Sequence, residues 1–181
     1  MLERAGNAYG VPAEIIVATI GIETVYGRAP GKGRVFDALA TLAFAYPPRA
    51  ALFRNELVEL LLLSREMRTD PLHYRGSFAG ALGVPQFLPS SYRRHAVDFD
   101  GNGRRDLWTH VDAIGSIANY YRAYGWANGQ PVLAALERTN DAPPEAFRQL
   151  VERGIQPHSR VAVFRQAGAS IAGAADDDAM A

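Results

Sequence analysis

The chain of 181 residues contains no cysteine, which excludes disulfides and thiolate metal centres while still permitting an oxidising compartment. It lacks any run of about 18 apolar residues, so no segment reads as a transmembrane helix. Net charge is absent too, because Lys+Arg and Asp+Glu are both 19. No long-range field therefore steers the protein to nucleic acid or an anionic membrane, although local patches remain open. The start, Met1-Leu2-Glu3-Arg4, carries charge where a signal peptide would run from basic to apolar. If the parent protein is exported, its signal is expected outside this chain. Also missing are a His-Glu-x-x-His pair, a glycine-rich phosphate loop and a Ser-His-Asp arrangement, since His73, His95, His110 and His158 all lie in polar or loop contexts. No internal repeat is visible. What remains is a chain with 48% hydrophobic residues, enough to bury one core, so one domain with appendages is expected.

The apolar spacing is mostly helical. Ala5 to Tyr9 reads as the end of a short helix stopped at Gly10, and Pro12 suits the first turn of a second helix running to Tyr26 with Gly27 as its cap. Val35 to Ala45 repeats Phe36, Leu39, Ala40 and Ala43 at helical spacing until Tyr46-Pro47-Pro48 ends it. Ala50 to Arg68 is the clearest helix, with six apolar positions set against Arg54, Glu56, Glu59 and Glu66. From Arg75 to Pro89, three Gly and two Pro argue for irregular backbone with room for a short helix over Ala79–Leu82. Ser90 or Ser91 then caps a helix to about Ala96, and Asp112 caps one ending at Gly125. Pro131 to Glu137 and Glu145 to Arg153 read as short helices, Ser159 to Arg165 alternates like a strand, and Ala167 to Ala181 reads as a disordered tail. The expected class is mostly α with little β structure.

Glu23 is the one carboxylate between Glu14 and Arg28, in a run that is otherwise apolar or small. As a helix, Ile16, Ile20, Glu23 and Gly27 share a face. Desolvation there raises a carboxyl pKa, and a carboxyl that keeps its proton near neutral pH is what glycosidic cleavage requires of its acid. The competing reading is a Glu paired with a buried Arg, or one that reaches the helix edge. Tyr120, Tyr121, Tyr124, Trp126, Phe78 and Phe87 would suit a sugar cleft, or equally a core. Asp98-Phe99-Asp100-Gly101-Asn102-Gly103-Arg104 follows the opening of an EF-hand calcium loop, with Asp98, Asp100 and Asn102 at positions 1, 3 and 5 and the Arg104 carbonyl next. Position 12 is Thr109 instead of Glu, so Asp112, three residues on, is expected to take that role in a stretched loop. The expectation is structural Ca2+, against an Asx-rich turn that orders without metal.

Six stretches resemble, in order, the membrane-bound lytic murein transglycosylase B family. They are Tyr9-Gly10-Val11-Pro12, Gly21-Ile22-Glu23-Thr24, Asp37 to Leu42, Gly76 to Ala81, Gln86 to Tyr92, and Val111 to Ser116 continued by Asn119-Tyr120-Tyr121. The resemblance runs from about Ala5 to Val132. It implies a lysozyme-like catalytic core over residues 1–132, a partial appendage over 133–166 and a tail over 167–181. It implies a lytic transglycosylase that cuts the MurNAc–GlcNAc β-1,4 bond of peptidoglycan and leaves 1,6-anhydro-MurNAc ends, with Glu23 as acid and then base. By the same resemblance, Ser77, Gln86 and Tyr120 line the sugar cleft, Arg49 meets the peptide or carboxylate side, and a calcium-type loop sits at Asp98–Asp112; Phe78 is expected to bind substrate as one of the clustered aromatics. Pro48 stands where the family has a second basic residue, and no Tyr-Asn pair follows Tyr124. The expected partner is the peptidoglycan glycan strand, the expected place the bacterial periplasm or cell envelope, and the expected state a monomer without lipobox anchorage. A hydrolysing muramidase and a non-catalytic peptidoglycan- or calcium-binding module are the alternatives.

Overall fold

Apolar residues spaced three and four apart become helices in the computed structural model, which describes residues 1–129, 135–136, 144–154 and 158–172. The chain divides into two units, Met1–Asn128 and Gly129–Ala181. The first opens with α1 (Leu2–Tyr9), capped by Gly10 in the left-handed region, and α2 (Ala13–Thr24). A two-residue strand β1 (Gly33–Arg34) leads into α3 (Val35–Ala45), and α4 (Ala50–Met67) packs against α3. β2 (Arg75–Gly76) pairs antiparallel with β1, Gly33 opposite Gly76. α5 (Pro89–His95) and α6 (His110–Ala123) follow. No single described helix is long and apolar enough to cross a membrane.

Two cores hold this unit. One gathers Val35, Leu39, Phe53, Leu60, Leu63, Leu82, Phe87, Tyr92 and Leu107; the other gathers Val11, Ile16, Ile20, Val84, Ala113 and Ile117. Each fully buried Leu or Ile contributes about 1.5–3 kcal/mol relative to exposure. The loop from Gly76 to Phe87 is pinned between them by antiparallel bridges, Gly76 to Leu82 and Leu82 to Phe87. Its backbone passes very close to the Pro30–Gly33 loop. A Cβ on Gly31 would collide with the Gly76 backbone, and one on Gly76 with the Ala81 carbonyl oxygen. The expected helix over Ala79–Leu82 does not form. Instead the Ser77 N–H donates to the Ala81 carbonyl at 3.0 Å, and the Ser77 hydroxyl accepts from the Ala81 N–H at 3.1 Å.

Several boundaries differ from the expected ones. α2 ends at Thr24, short of Tyr26, and Val25 (φ 51°) takes the left-handed cap that Gly27 was expected to supply. Pro89 occupies the first turn of α5 with Leu88 before it, so neither Ser90 nor Ser91 is its cap. Thr109, and not Asp112, caps α6: its hydroxyl accepts from the Asp112 N–H, and the helix stops at Ala123. Glu56 was expected on the polar face of α4 but is buried. Its carboxylate accepts from the Ser90 N–H (2.9 Å) and hydroxyl (2.7 Å), so a polar letter marks a core-facing junction between α4 and α5.

In the second unit, α7 (Glu145–Val151) agrees with the expected helix within two residues. The stretch expected as a strand is instead α8 (Val161–Gln166), since a short Val-Ala-Val-Phe run fits either period and Val161 alone needs deep burial. Phe147 and Phe164 join α7 to α8 with ring centroids 6.3 Å apart. Ala135–Leu136, expected in a helix, form β3, paired antiparallel with β4 (Ile171–Ala172), which lies in the stretch expected to be tail. The remainder of Pro131–Glu137 and residues 173–181 lie outside the described residues.

Candidate active site

Glu23 is the penultimate residue of α2, and the way that helix stops decides where its carboxylate goes. The buried stripe is Ile16, Ile20 and Thr24; Glu23 itself is exposed, one step round from the apolar face on which the sequence places it. Thr24 is 1% exposed. Its hydroxyl lies 3.0 Å from the Val84 carbonyl oxygen and 3.3 Å from that of Ile20, and it accepts from the Gly27 N–H at 3.0 Å. Val25 and Tyr26 both have positive φ, 51° and 59°, a strained choice for a β-branched residue. They are held there because the Val25 N–H donates to Gly21 O, the Tyr26 N–H donates to Ile20 O, and His110 Nε2 sits 3.2 Å from Tyr26 O.

Desolvation raises the Glu23 pKa above its ordinary value. Its place in the last turn of a helix works the same way, since the partial negative charge of the C-terminal carbonyls disfavours a carboxylate. Among the described residues, no hydrogen bond or cation engages it, so the reading of a Glu paired with a buried Arg has no support. The side chain faces a cleft of ≈ 330 Å³. Thr19 and Glu23 of α2, the loop Pro85–Leu88, Ser91 of α5, and Ile117, Tyr120 and Tyr121 of α6 form its walls. Phe87 belongs to one core and Ile117 to the other, so the cleft opens at their seam.

Within these walls the sequence-predicted residues divide. Gln86 and Tyr120 line the cleft with Glu23. Gln86 takes a left-handed backbone (φ 53°), and its amide nitrogen donates to Pro30 O (3.1 Å) and Gly83 O (2.9 Å), tying the cleft loop to the 30s loop. Burial raises the Tyr120 pKa, so its phenol keeps its proton and can donate to a ligand. Its ring is fixed between Phe87 (5.2 Å) and Tyr124 (4.5 Å), with the edge of His95 against it (5.3 Å). Ser77, Phe78 and Arg49 are not among the residues lining this cleft. Ser77 is occupied by the Ala81 amide, Phe78 is 90% exposed on its turn, and the Arg49 guanidinium lies over the Phe53 ring at 5.6 Å. Residues the sequence reading passed over are Thr19, Ser91 and the support pair Thr24 and His110. Thr19 was findable, being one turn before Glu23; its hydroxyl meets the Tyr121 phenol at 3.0 Å.

The acidic loop brings Asp98, Asp100 and Asp112 together, each offering a carboxylate oxygen within 4.8 Å of the others. Asp112 is fully buried and accepts backbone N–H groups from Phe99 (2.8 Å), Asp100 (3.4 Å) and Asp106 (2.7 Å). Asp98 accepts from Gly101, Asn102 and Gly103, and Asn102 Oδ1 accepts from the Arg104 N–H. Desolvation pushes the Asp98 pKa up, but the three amides outweigh it and the net shift is downward, keeping the carboxylate ionised. Three carboxylates with an amide oxygen beside them fit a hard divalent cation, and the all-oxygen set suits calcium.

A family model described as the transglycosylase SLT domain matches residues 1–180. The chain is 48% identical over 172 residues to the membrane-bound lytic murein transglycosylase B of Escherichia coli (strain K12), covering 92% of this chain and 48% of that protein. It superposes on the soluble lytic transglycosylase SltB1 of Pseudomonas aeruginosa with a TM-score of 0.86 at 49% identity, covering 99% of this chain and 58% of that one. Against the Escherichia coli lytic transglycosylase Slt35 in complex with calcium, the TM-score is 0.82 at 44% identity, covering 99% and 55%. The chain thus spans about half the length of the relatives it matches.

Proposed function

The chain belongs to the transglycosylase SLT domain family, and from that membership we propose that it cleaves the β-1,4 bond between MurNAc and GlcNAc in peptidoglycan, leaving 1,6-anhydro-MurNAc ends. One observation carries the reading. Among the described residues, Glu23 is the only carboxylate lining the cleft, and nothing neutralises it. A retaining glycosidase would set a second carboxylate about 5 Å away, and an inverting one would need a base about 6.5–9.5 Å away to activate water. With one acid, the steps must share it. Protonated Glu23 gives its proton to the glycosidic oxygen as the C1–O bond breaks, and the acetamide carbonyl of MurNAc stabilises the electron-poor C1. The Glu23 carboxylate then takes the proton of the MurNAc C6 hydroxyl, whose oxygen bonds to C1. The residue ends as it began, protonated. A raised pKa serves both halves, because acid and base must each be populated near the working pH. Tyr120 and Gln86 are assigned to hold the sugars, and Thr24 and His110 to set the position of Glu23.

The loop Asp98, Asp100, Asn102, Arg104 and Asp112 is assigned to calcium, with Arg104 contributing its carbonyl. When bound, the ion would neutralise three clustered carboxylates and stiffen the segment that leads into α6. The place of action is the bacterial cell envelope, where the substrate lies.

Digestion of purified sacculi with mass analysis of the released muropeptides tests the reading. Anhydro ends are expected, with Glu23→Gln releasing none while keeping its fold. Reducing ends would make the chain a muramidase, and binding without release would make it a module without catalysis.

A further inference from the structure

Adjacent residues of α5 serve two different hollows. Ser91 lines the Glu23 cleft, whereas Tyr92 lines a second groove of ≈ 1090 Å³ that shares no residue with the first. The C-terminal end of α4, the His73–Arg75 segment, Gly103–Asp106 of the acidic loop and Trp108 form its walls. Four guanidinium groups border it, from Arg68, Arg75, Arg104 and Arg105, against two carboxylates, Glu66 and Asp106. Both carboxylates are already engaged. Glu66 pairs with Arg93 at 2.6 Å and Arg105 at 3.6 Å, and Asp106 accepts the Trp108 N–H at 2.9 Å. Among the described residues no carboxylate pairs with the side chains of Arg68, Arg75 or Arg104, and the Arg75 guanidinium reaches only main-chain oxygens, Leu72 O at 2.7 Å and Tyr74 O at 3.4 Å. The apolar part of the lining is Tyr74 and Trp108, with ring centroids 6.2 Å apart, together with Met67.

We propose that this groove binds a short peptide through its carboxylates, of the kind that peptidoglycan strands carry, while the glycan occupies the Glu23 cleft. The proposal rests on the substrate class assigned above. Planar guanidinium forks match carboxylates in two-pronged geometry, and the hollow is far larger than one small anion needs. The two acids in the wall disfavour a densely charged polyanion, which leaves carboxylates carried singly along a peptide as the better match. Tyr74, Trp108 and Met67 offer apolar surface to the stems of its side chains. Adjacent positions of α5, Ser91 in the cleft and Tyr92 in the groove, place the two hollows against the same short helix, so a glycan in one and its peptide in the other would flank α5.

The test is calorimetric titration, in calcium-containing buffer, of the stem tetrapeptide freed of sugar. The wild-type chain is compared with Arg68→Gln/Arg104→Gln, whose side chains are exposed and make no ion pair among the described residues; melting of the double variant checks that it folds. Saturable binding is expected for the wild type, weakened about tenfold or more in the double variant because two charge-assisted partners are lost. Glu23→Gln should bind the tetrapeptide as the wild type does. Equal affinity of the folded double variant would overturn the proposal. So would displacement of the peptide by GlcNAc oligomers, which would put it in the cleft, or equally tight binding of inorganic phosphate, which would make the groove a general anion site. Sacculus digestion separates the two readings: wild-type chain that binds tetrapeptide yet cuts no sacculi keeps the groove and removes the enzymatic reading. Cutting without peptide binding does the reverse.

Discussion

Replacing Thr24 with valine keeps shape and β-branching but removes the hydroxyl that ends α2. Two groups are then orphaned in a site that is 1% exposed at residue 24: the Val84 carbonyl, 3.0 Å from the hydroxyl, and the Gly27 N–H, also 3.0 Å away. An unsatisfied buried donor or acceptor costs about 1–3 kcal/mol, so the pair together should cost about 2–6 kcal/mol. For a unit of this size one kcal/mol moves Tm by about 4 °C, giving a fall of roughly 8–24 °C. Activity should drop further than stability alone would require. The same hydroxyl holds the strained Val25–Tyr26 turn directly after Glu23, and a misplacement of about 1 Å can cost about a hundredfold in rate. The assay pairs thermal melting with muropeptide release at a temperature where the variant is fully folded. Thr24→Ser, which keeps the hydroxyl and loses only a methyl, should melt within about 1 kcal/mol of wild type. A Thr24→Val chain that melts within 2 °C or so of wild type and releases muropeptides at full rate would refute the reasoning.

The raised pKa of Glu23 makes its contribution to stability largest below the ordinary carboxylate range and lost as pH rises through the folded value. Glu23→Gln should accordingly match wild type at low pH and surpass it near neutrality in denaturant unfolding; the opposite ordering would contradict the desolvated site. Muropeptide release should decline as pH rises above that same raised value, because the first step needs the proton. Asp112→Ala removes the acceptor of three backbone amides and should cost about 2–4 kcal/mol even in chelator. Calcium should raise the wild-type melting temperature by mass action and leave that variant unmoved; a similar calcium shift in both would exclude Asp112 as a ligand. Glu56→Gln presents one acceptor oxygen where the Ser90 N–H and hydroxyl need two, so a loss of about 1–3 kcal/mol is expected, read as a lower denaturant midpoint with unchanged slope.

Much of the local structure was legible because it depends on neighbours in sequence. The starts of α3 and α4 and the stops of α1, α3 and α4 follow from apolar spacing and from Gly10, Tyr46-Pro47-Pro48 and Asp70-Pro71. Short elements were less legible. Val161–Gln166 forms a helix and Ala135–Leu136 a strand because a few small apolar residues satisfy both periods, and the partner decides.

By itself the sequence determined a mostly helical chain, a lone Glu in an apolar run and an acidic loop with alternating oxygen donors, since all three are matters of residue type and spacing. Only the tertiary structure decided that Glu23 leaves the buried stripe and that Thr24 takes its place. That choice depends on Val84, sixty positions away, offering a carbonyl to the Thr24 hydroxyl. Tertiary structure also decided that Gln86 and Tyr120 share the cleft with Glu23 while Ser77, Phe78 and Arg49 do not line it, and that Asp112 closes the acidic loop from inside a helix that Thr109 caps. Hydrogen bonds between segments far apart in the chain settle such matters, and no local pattern carries them.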